Sequence, residues 1–244
     1  KAGPDRGDVS SPILPHLLNH DQQAAYEMIV SALGQDGTGS GSFLLHGVTG
    51  SGKTEVYLQV IEKALSMNRG AIVLVPEIGL TPQLAARFEG RFGKSVAVLH
   101  SGLSPSERYH AWRRILEGEA RIAIGARSAL FAPMENIGVI IVDEEHDPSY
   151  KQEEGVRYHA RDAALVYGKL LKAVVILGTA TPSFESFHNG QSGKYTTLLL
   201  PERVAARPLP VIQMIDLRQR EEWVKPFLTR RLLAAIEQRL SCSE

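Results

Sequence analysis

The chain has 244 residues, 43% of them hydrophobic, which suffices for a sizeable core in one large domain or in a domain with an appendage. Its 27 Lys and Arg residues balance 27 Asp and Glu, so any site for a polyanion must be local rather than a basic coat. Cys242 is the only cysteine, which excludes an internal disulfide and a cysteine-rich zinc site within these residues, and no apolar run has the length of a membrane span.

The opening stretch KAGPDRGDVSSPILP reads as a linker, assigned here to 1–17. Lys1 in place of methionine suggests a piece of something longer. The absence of a signal-peptide pattern, with this cysteine usage, fits a reducing, cytoplasmic setting. A helix is predicted from Leu18: Asn19 can cap it, Gln22 stands at its third position, and Ala25, Ile29, Ala32 and Leu33 share one face. After the loop GQDGTGSGS come apolar runs at 43–46, 71–75, 95–99, 121–124, 139–142 and 173–177, alternating with helical patterns. Thr81-Pro82 starts one such helix, with Leu84, Phe88 and Phe92 spaced by four. Ser104 to Glu107 form a capping box before a face of Tyr109, Trp112 and Leu116. Strands alternating with helices imply an α/β fold, a mostly parallel sheet with helices on both faces, expected over 18–200. From Pro201 a connector, a strand VIQMIDL and a helix FLTRRLLAAIEQRL read as the start of a second unit, truncated within 201–244.

Ligands of such sheets sit beyond the carboxyl ends of the strands. There the segment GVTGSGKT fits the pattern G-x-x-x-x-G-K-[ST], a match expected by chance in roughly one chain in a hundred of this length. Gly47, Gly50 and Gly52, with Val48, Thr49 and Ser51 between them, let backbone N–H groups turn inward around phosphate. Lys53 would reach the β- and γ-phosphates of ATP, and the Thr54 hydroxyl would ligate Mg²⁺. A second signal is VIIVDEEH, a strand doubly buried by pattern that runs straight into three acids. Like charges so close repel unless a cation sits among them, and magnesium with a triphosphate supplies one. Asp143 is the expected magnesium contact and Glu144 the expected general base. A glycine turn and a solvated acidic loop would explain the two segments singly, but not the Lys-Thr pair.

The box Asp143-Glu144-Glu145-His146 resembles the D-E-x-H box of superfamily-two helicases and translocases, with Glu145 where alanine is common. GTATPS (178–183) is similar to their third motif, which implies that Thr179 and Thr181 link the nucleotide site to DNA and that His146 contacts them. LNHDQQ resembles the element upstream of the phosphate loop, making Gln22 the implied reader of the adenine edge. With LVPEIGLTPQ, LHSGLSPSER, GARSALFAP and DEEHDPSYKQEEGVRYHARD, the chain over roughly 18–240 resembles the PriA family of bacterial primosomal helicases. The resemblance implies a RecA-like first motor lobe that binds ATP and single-stranded or forked DNA, within a protein that unwinds 3′-to-5′ at stalled forks and acts in primosome assembly. Thr81, Gln83, Ser101, Arg127 and Ser128 would line the strand-binding face, although a helix cap at Thr81 and a turn at Ser101 explain those residues equally well.

Tyr150, Lys151, Arg157, Tyr158, His159 and Arg161 fall in a segment similar to an aromatic-rich loop of PriA and RecQ-type helicases, implied to sense single-stranded DNA; a solvated loop is the alternative. The same resemblance implies single-stranded-DNA-binding protein and primosome proteins as partners, a nucleoid-associated location and no membrane. It also implies zinc only in sequence outside this chain. With most of a second lobe absent, the chain alone is expected to bind ATP and hydrolyse it slowly. A RecG-like or restriction-type translocase and a nucleotide-gated DNA- or protein-binding platform remain the alternatives.

Overall fold

A computed structural model describes residues 14–34, 39–76, 79–204, 212, 214–218, 223–225 and 228–241. Lys1–Ala206 and Arg207–Glu244 are separate compact units. In the first, α1 (His20–Leu33) precedes β1 (Gly41–Gly47), α2 (Lys53–Ser66), β2 (Gly70–Leu74), α3 (Pro82–Phe92), β3 (Val96–Leu99), α4 (Pro105–Leu116), β4 (Ile122–Gly125) and β5 (Ile137–Asp143). A short antiparallel pair follows, β6 (Lys151–Gln152) and β7 (Tyr158–His159), then α5 (Ala160–Leu171), β8 (Val174–Thr179), α6 (Phe184–Gln191) and β9 (Thr196–Leu200). Seven strands form one parallel sheet in the order β3-β4-β2-β5-β8-β1-β9.

Strand side chains alternate between two cores, as the period of two demands. Phe43, Leu45, Val139, Ile141, Val174 and Ile176 pack with α1, α2 and Phe88 of α3, while Leu44, Ile140, Val142, Val175 and Leu177 pack with Ile115 of α4 and with α5. Helical cover on both faces explains why β5 is apolar at nearly every position. Asn19 caps α1 through a capping box with Gln22, Thr81 caps α3, and Ser104 caps α4 with Glu107.

Two features are added by the structure and one expectation changes. In α4, Tyr109, Trp112 and Leu116 face solvent, and the helix seats itself through Ile115, with Ala111 half-buried one turn earlier. Helical spacing identifies a stripe but not which stripe turns inward. Second, β9 extends the sheet beyond β1, through a run TTLLL whose exposed threonines gave no strand signal. Third, of VIQMIDL the described residues include no strand: Ile212 and Met214 are exposed and Leu217 lies in a turn. An apolar run becomes a strand only where a neighbour takes its ladder bonds and covers a face. The second unit instead pairs β10 (Trp223–Lys225) with β11 (Leu228–Thr229), followed by α7 (Arg230–Ser241).

Candidate nucleotide cleft and strand groove

The central strands β5, β8 and β1 end level with one another. Their register sets Asp143 against Gly178 and His46 against Thr179, so the phosphate-loop segment, the acidic box and the segment GTATPS leave the sheet together. The first two line one cleft of about 440 Å³, shared by Lys53, Thr54, Asp143, Glu144 and Gln22. Thr54 and Asp143 therefore stand on the same side of the sheet edge.

The loop before α2 is built by its glycines. Gly50 and Gly52 have φ of 82° and 81°, the left-handed region that a side chain resists. A Cβ on Gly52 would lie 2.3 Å from Gln22 Nε2, and one on Gly47 would lie 2.5 Å from Ser51 Oγ. No side chain caps α2, Ser51 Oγ is buried without a partner, and the buried Lys53 Nζ donates to the Gly47 carbonyl. An uncapped helix N-terminus, an orphan hydroxyl and a buried ammonium are donors of the kind that suit phosphate. Val48, Thr49 and Gly50 complete the turn, and the Val204 N–H closes it by donating to the Gly50 carbonyl.

Gln22 is more constrained than expected. It is buried, its Oε1 accepts from the Asn19 N–H, and its Nε2 donates to the Ser51 carbonyl. One amide hydrogen and one Oε1 lone pair remain free, and the side chain at the same time braces α1 against the phosphate loop.

Among the acids, Asp143 is half-buried and accepts a hydrogen bond from the Tyr57 hydroxyl at 3.0 Å. Burial, reinforced by Glu144, pushes its carboxyl above the usual aspartate range against the pull of Tyr57 and Lys53. Glu144 has φ of 46°, an unfavourable backbone for a residue with a side chain, at the point where its carboxylate enters the cleft. His146 turns to the neighbouring strand end: Nδ1 is 2.8 Å from Thr179 Oγ1 and Nε2 is 3.4 Å from Thr181 Oγ1. The box and the GTATPS segment thus touch directly.

The other candidate residues gather along a groove. Ser101, Arg127, Ser128 and Tyr158 line a hollow of about 370 Å³ together with Arg108 and Trp112, and none of its lining residues is acidic. A second hollow shares His100 and Ser101 with it and reaches Thr81; a third shares Gln152 and Tyr158 and reaches Lys151 and Arg157. Gln83 is exposed on α3 but lines none of the three. Thr81 Oγ1 also accepts from the Leu84 N–H, so its capping role stands whatever else it does. Lys151 is paired with Glu153 at 2.8 Å, and Arg127 donates to the Ser149 and Lys151 carbonyls.

A profile of DEAD/DEAH box helicases matches residues 19–189. The chain belongs to the DEAD/DEAH box helicase family. It is 53% identical to the replication restart protein PriA of Bacillus subtilis over 84% of this chain and 25% of that protein. To the PriA of Chlamydia pneumoniae it is 47% identical, over 96% of this chain and 31% of that one. The chain spans about a quarter to a third of the length of the relatives it matches. A structure of RecG bound to a three-way DNA junction shares the fold, with 21% identity and a TM-score of 0.56 over 79% of this chain and 25% of its own.

Two residues of this DEAD/DEAH box helicase chain depart from the strand-contacting role expected of them. Tyr150 is wholly buried, and its hydroxyl donates to the Asp143 carbonyl at 2.6 Å, so its ring cannot stack on a base. Arg161 is buried too, donating to Glu145 at 3.1 Å and to Ser183 Oγ at 2.7 Å, so it cannot meet a phosphate backbone. Conversely, sequence reasoning passed over Tyr57, Glu145 and Trp112. Tyr57 is a wholly buried residue of α2 whose hydroxyl reaches the Asp143 carboxylate. Its contact also explains Gly178, where a Cβ would fall 1.6 Å from that hydroxyl. Gly178→Ala is expected to lower the unfolding free energy by about 2–3 kcal/mol in urea titration, with part restored by adding Tyr57→Phe.

Proposed function

We propose that this chain is the first motor lobe of a replication-restart helicase that uses ATP to move 3′-to-5′ on DNA at stalled forks. The observation that carries the reading is a phosphate-suited cleft whose acidic box touches the GTATPS segment through His146, Thr179 and Thr181, together with a hollow at Arg127 and Trp112 that no acidic residue lines. The direction of travel, the fork setting and the partners (single-stranded-DNA-binding protein and primosome proteins) rest on the likeness to PriA proteins.

In this reading the phosphate-loop N–H groups and Lys53 hold the ATP phosphates, and Gln22 offers its remaining N–H to the adenine. Thr54 and Asp143 hold Mg²⁺, which when bound offsets phosphate charge. One hydroxyl and one carboxylate, with phosphate and water supplying other ligands, is a set that magnesium favours. Glu144 takes a proton from the attacking water. Along the groove, hydroxyls of Thr81, Ser101 and Ser128 with Arg127, Lys151 and Arg157 meet the sugar-phosphate backbone, while Tyr158 and Trp112 offer ring faces to bases. Among the described residues no helix is long and apolar enough to cross a membrane. Zinc has no place in this chain's reading.

The test is ATP hydrolysis by the full-length protein with and without forked DNA, alongside strand displacement. A motor shows DNA-stimulated turnover and unwinding; neither would appear if the lobe were a nucleotide-gated platform. Trp112→Ala is expected to weaken single-strand affinity by about five- to 150-fold, read by fluorescence anisotropy, because one stacked base is worth about 1–3 kcal/mol.

A further inference from the structure

The start of α2 brings a third polar group to the cleft, from behind its wall. Lys53 and Thr54 line the cleft, and Tyr57, four residues beyond the one and three beyond the other, falls on the same helical face. Tyr57 is wholly buried and lines no part of the cleft. Its ring belongs to the core beneath the sheet, a role that phenylalanine would fill as well. The hydroxyl is the part that needs a reason, because a buried O–H is costly without a partner and fixes the partner it has. That partner is the Asp143 carboxylate, whose Oδ1 accepts from the Tyr57 hydroxyl at 3.0 Å.

Oδ1 is enclosed on a second side. Asp143 ends β5 and stands in register with Gly178 of β8. A Cβ on Gly178 would fall 1.6 Å from the Tyr57 hydroxyl and 3.3 Å from Asp143 Oδ1. Gly178 is not among the glycines with positive φ, so its missing side chain answers to space rather than to backbone angle. The bare position lets hydroxyl and carboxylate meet at the strand ends. With Oδ1 taken up by the protein, Oδ2 is the oxygen left for the cleft that Asp143 shares with Lys53, Thr54 and Glu144. The difference matters to a cation. Magnesium demands a rigid octahedron and takes carboxylate oxygens singly, whereas calcium gathers a larger, looser set and commonly claims both oxygens of one carboxylate. Hydrogen bonds made to a ligating carboxylate by residues that do not themselves touch the metal tune its affinity.

We propose that Tyr57 is a positioning residue for metal selection: by holding Oδ1 it presents Asp143 as a one-oxygen ligand and so favours magnesium over calcium at the nucleotide site. The inference rests on the assignment of Thr54 and Asp143 to magnesium above. Buried behind the cleft, Tyr57 acts only through Asp143. Without the hydroxyl the carboxylate is free to turn both oxygens to the cleft, an arrangement that calcium accepts and from which magnesium gains nothing.

The test is equilibrium binding of a fluorescent ADP analogue to the full-length wild type and to Tyr57→Phe, in EDTA, in saturating magnesium and in saturating calcium. For each metal the quantity read is the gain in analogue affinity over EDTA. Wild type is expected to gain more from magnesium than from calcium. In Tyr57→Phe the magnesium gain should fall while the calcium gain holds or rises. The ratio of the two gains should drop about tenfold, the lower end of what losing a hydrogen bond to a ligating group costs, with affinity in EDTA within about twofold of wild type. A hydroxyl that serves packing alone would leave the ratio at its wild-type value, whatever it did to the melting temperature, and that result overturns the inference alone. So does a wild type that gains as much from calcium as from magnesium. A wild type whose analogue affinity does not depend on magnesium overturns the metal assignment and this inference with it.

Discussion

Glu144→Gln in the full-length protein is expected to lower kcat for ATP hydrolysis by about 10²–10⁴ while leaving nucleotide affinity within about threefold. The substitution keeps the size and shape of the side chain and the same left-handed backbone cost, so the cleft should be preserved. What it removes is the ability to accept a proton, together with the negative charge that helps hold the Asp143 carboxyl above its ordinary range. Relief of that repulsion favours ionised Asp143, which argues against any loss of metal or nucleotide binding. The measurements are steady-state hydrolysis at saturating DNA and equilibrium binding of a fluorescent nucleotide analogue. A fall of less than tenfold would mean that Glu144 is not the base, and attention would pass to a group outside this lobe.

The positions legible in the sequence are those whose cause is local. Asn19 with Gln22 and Ser104 with Glu107 form caps because each pair lies three residues apart on one helical turn, and the structure has both. β5 was readable because burial on two faces leaves a continuous apolar run. The phosphate loop was readable because its glycines, lysine and threonine occupy a fixed spacing that one turn of backbone brings together. The failures share a different cause. Tyr150 and Arg161, the second on the first turn of α5, belong to a polar, aromatic stretch whose composition says solvent, yet each turns inward to a partner outside it: the Asp143 carbonyl, and a carboxylate sixteen residues back in the chain. No periodicity can signal such a choice. Glu145 was passed over because a buried carboxylate and an exposed one are the same letter. α4 is the instructive middle case: its spacing correctly announces a helix, while Arg108, Tyr109 and Trp112 on the outside and Ile115 on the inside depend on the neighbour against which it lies.

Asp143→Asn should make the ligand-free protein more stable and the motor inert. Burial and Glu144 raise the Asp143 carboxyl in the fold above its value in the unfolded chain. The sign follows from linkage: a raised carboxyl contributes stability that is fully present below the unfolded value and is lost as pH rises through the folded one. At neutral pH the charge at this position therefore opposes folding. Asparagine is neutral at every pH and keeps an Oδ1 to accept from Tyr57. The variant should be more stable than wild type at pH 7, read as a higher Tm, and the gain should vanish as the buffer is taken below the unfolded carboxylate range. The same change removes the carboxylate proposed to hold magnesium with Thr54. Magnesium and ADP together should stabilise wild type by an amount set by ligand concentration over Kd, about 2.7 kcal/mol at a hundredfold excess, and so raise its Tm; they should raise that of Asp143→Asn much less. Thermal melts at two pH values, with EDTA or with magnesium and ADP, separate the two effects. A variant less stable than wild type at pH 7 would show that Tyr57 and Lys53 already outweigh burial. A variant with an undiminished response to magnesium would place the ion on other ligands. A position stabilised by losing its charge and disabled by the same loss is one where binding chemistry, rather than folding, has set the residue.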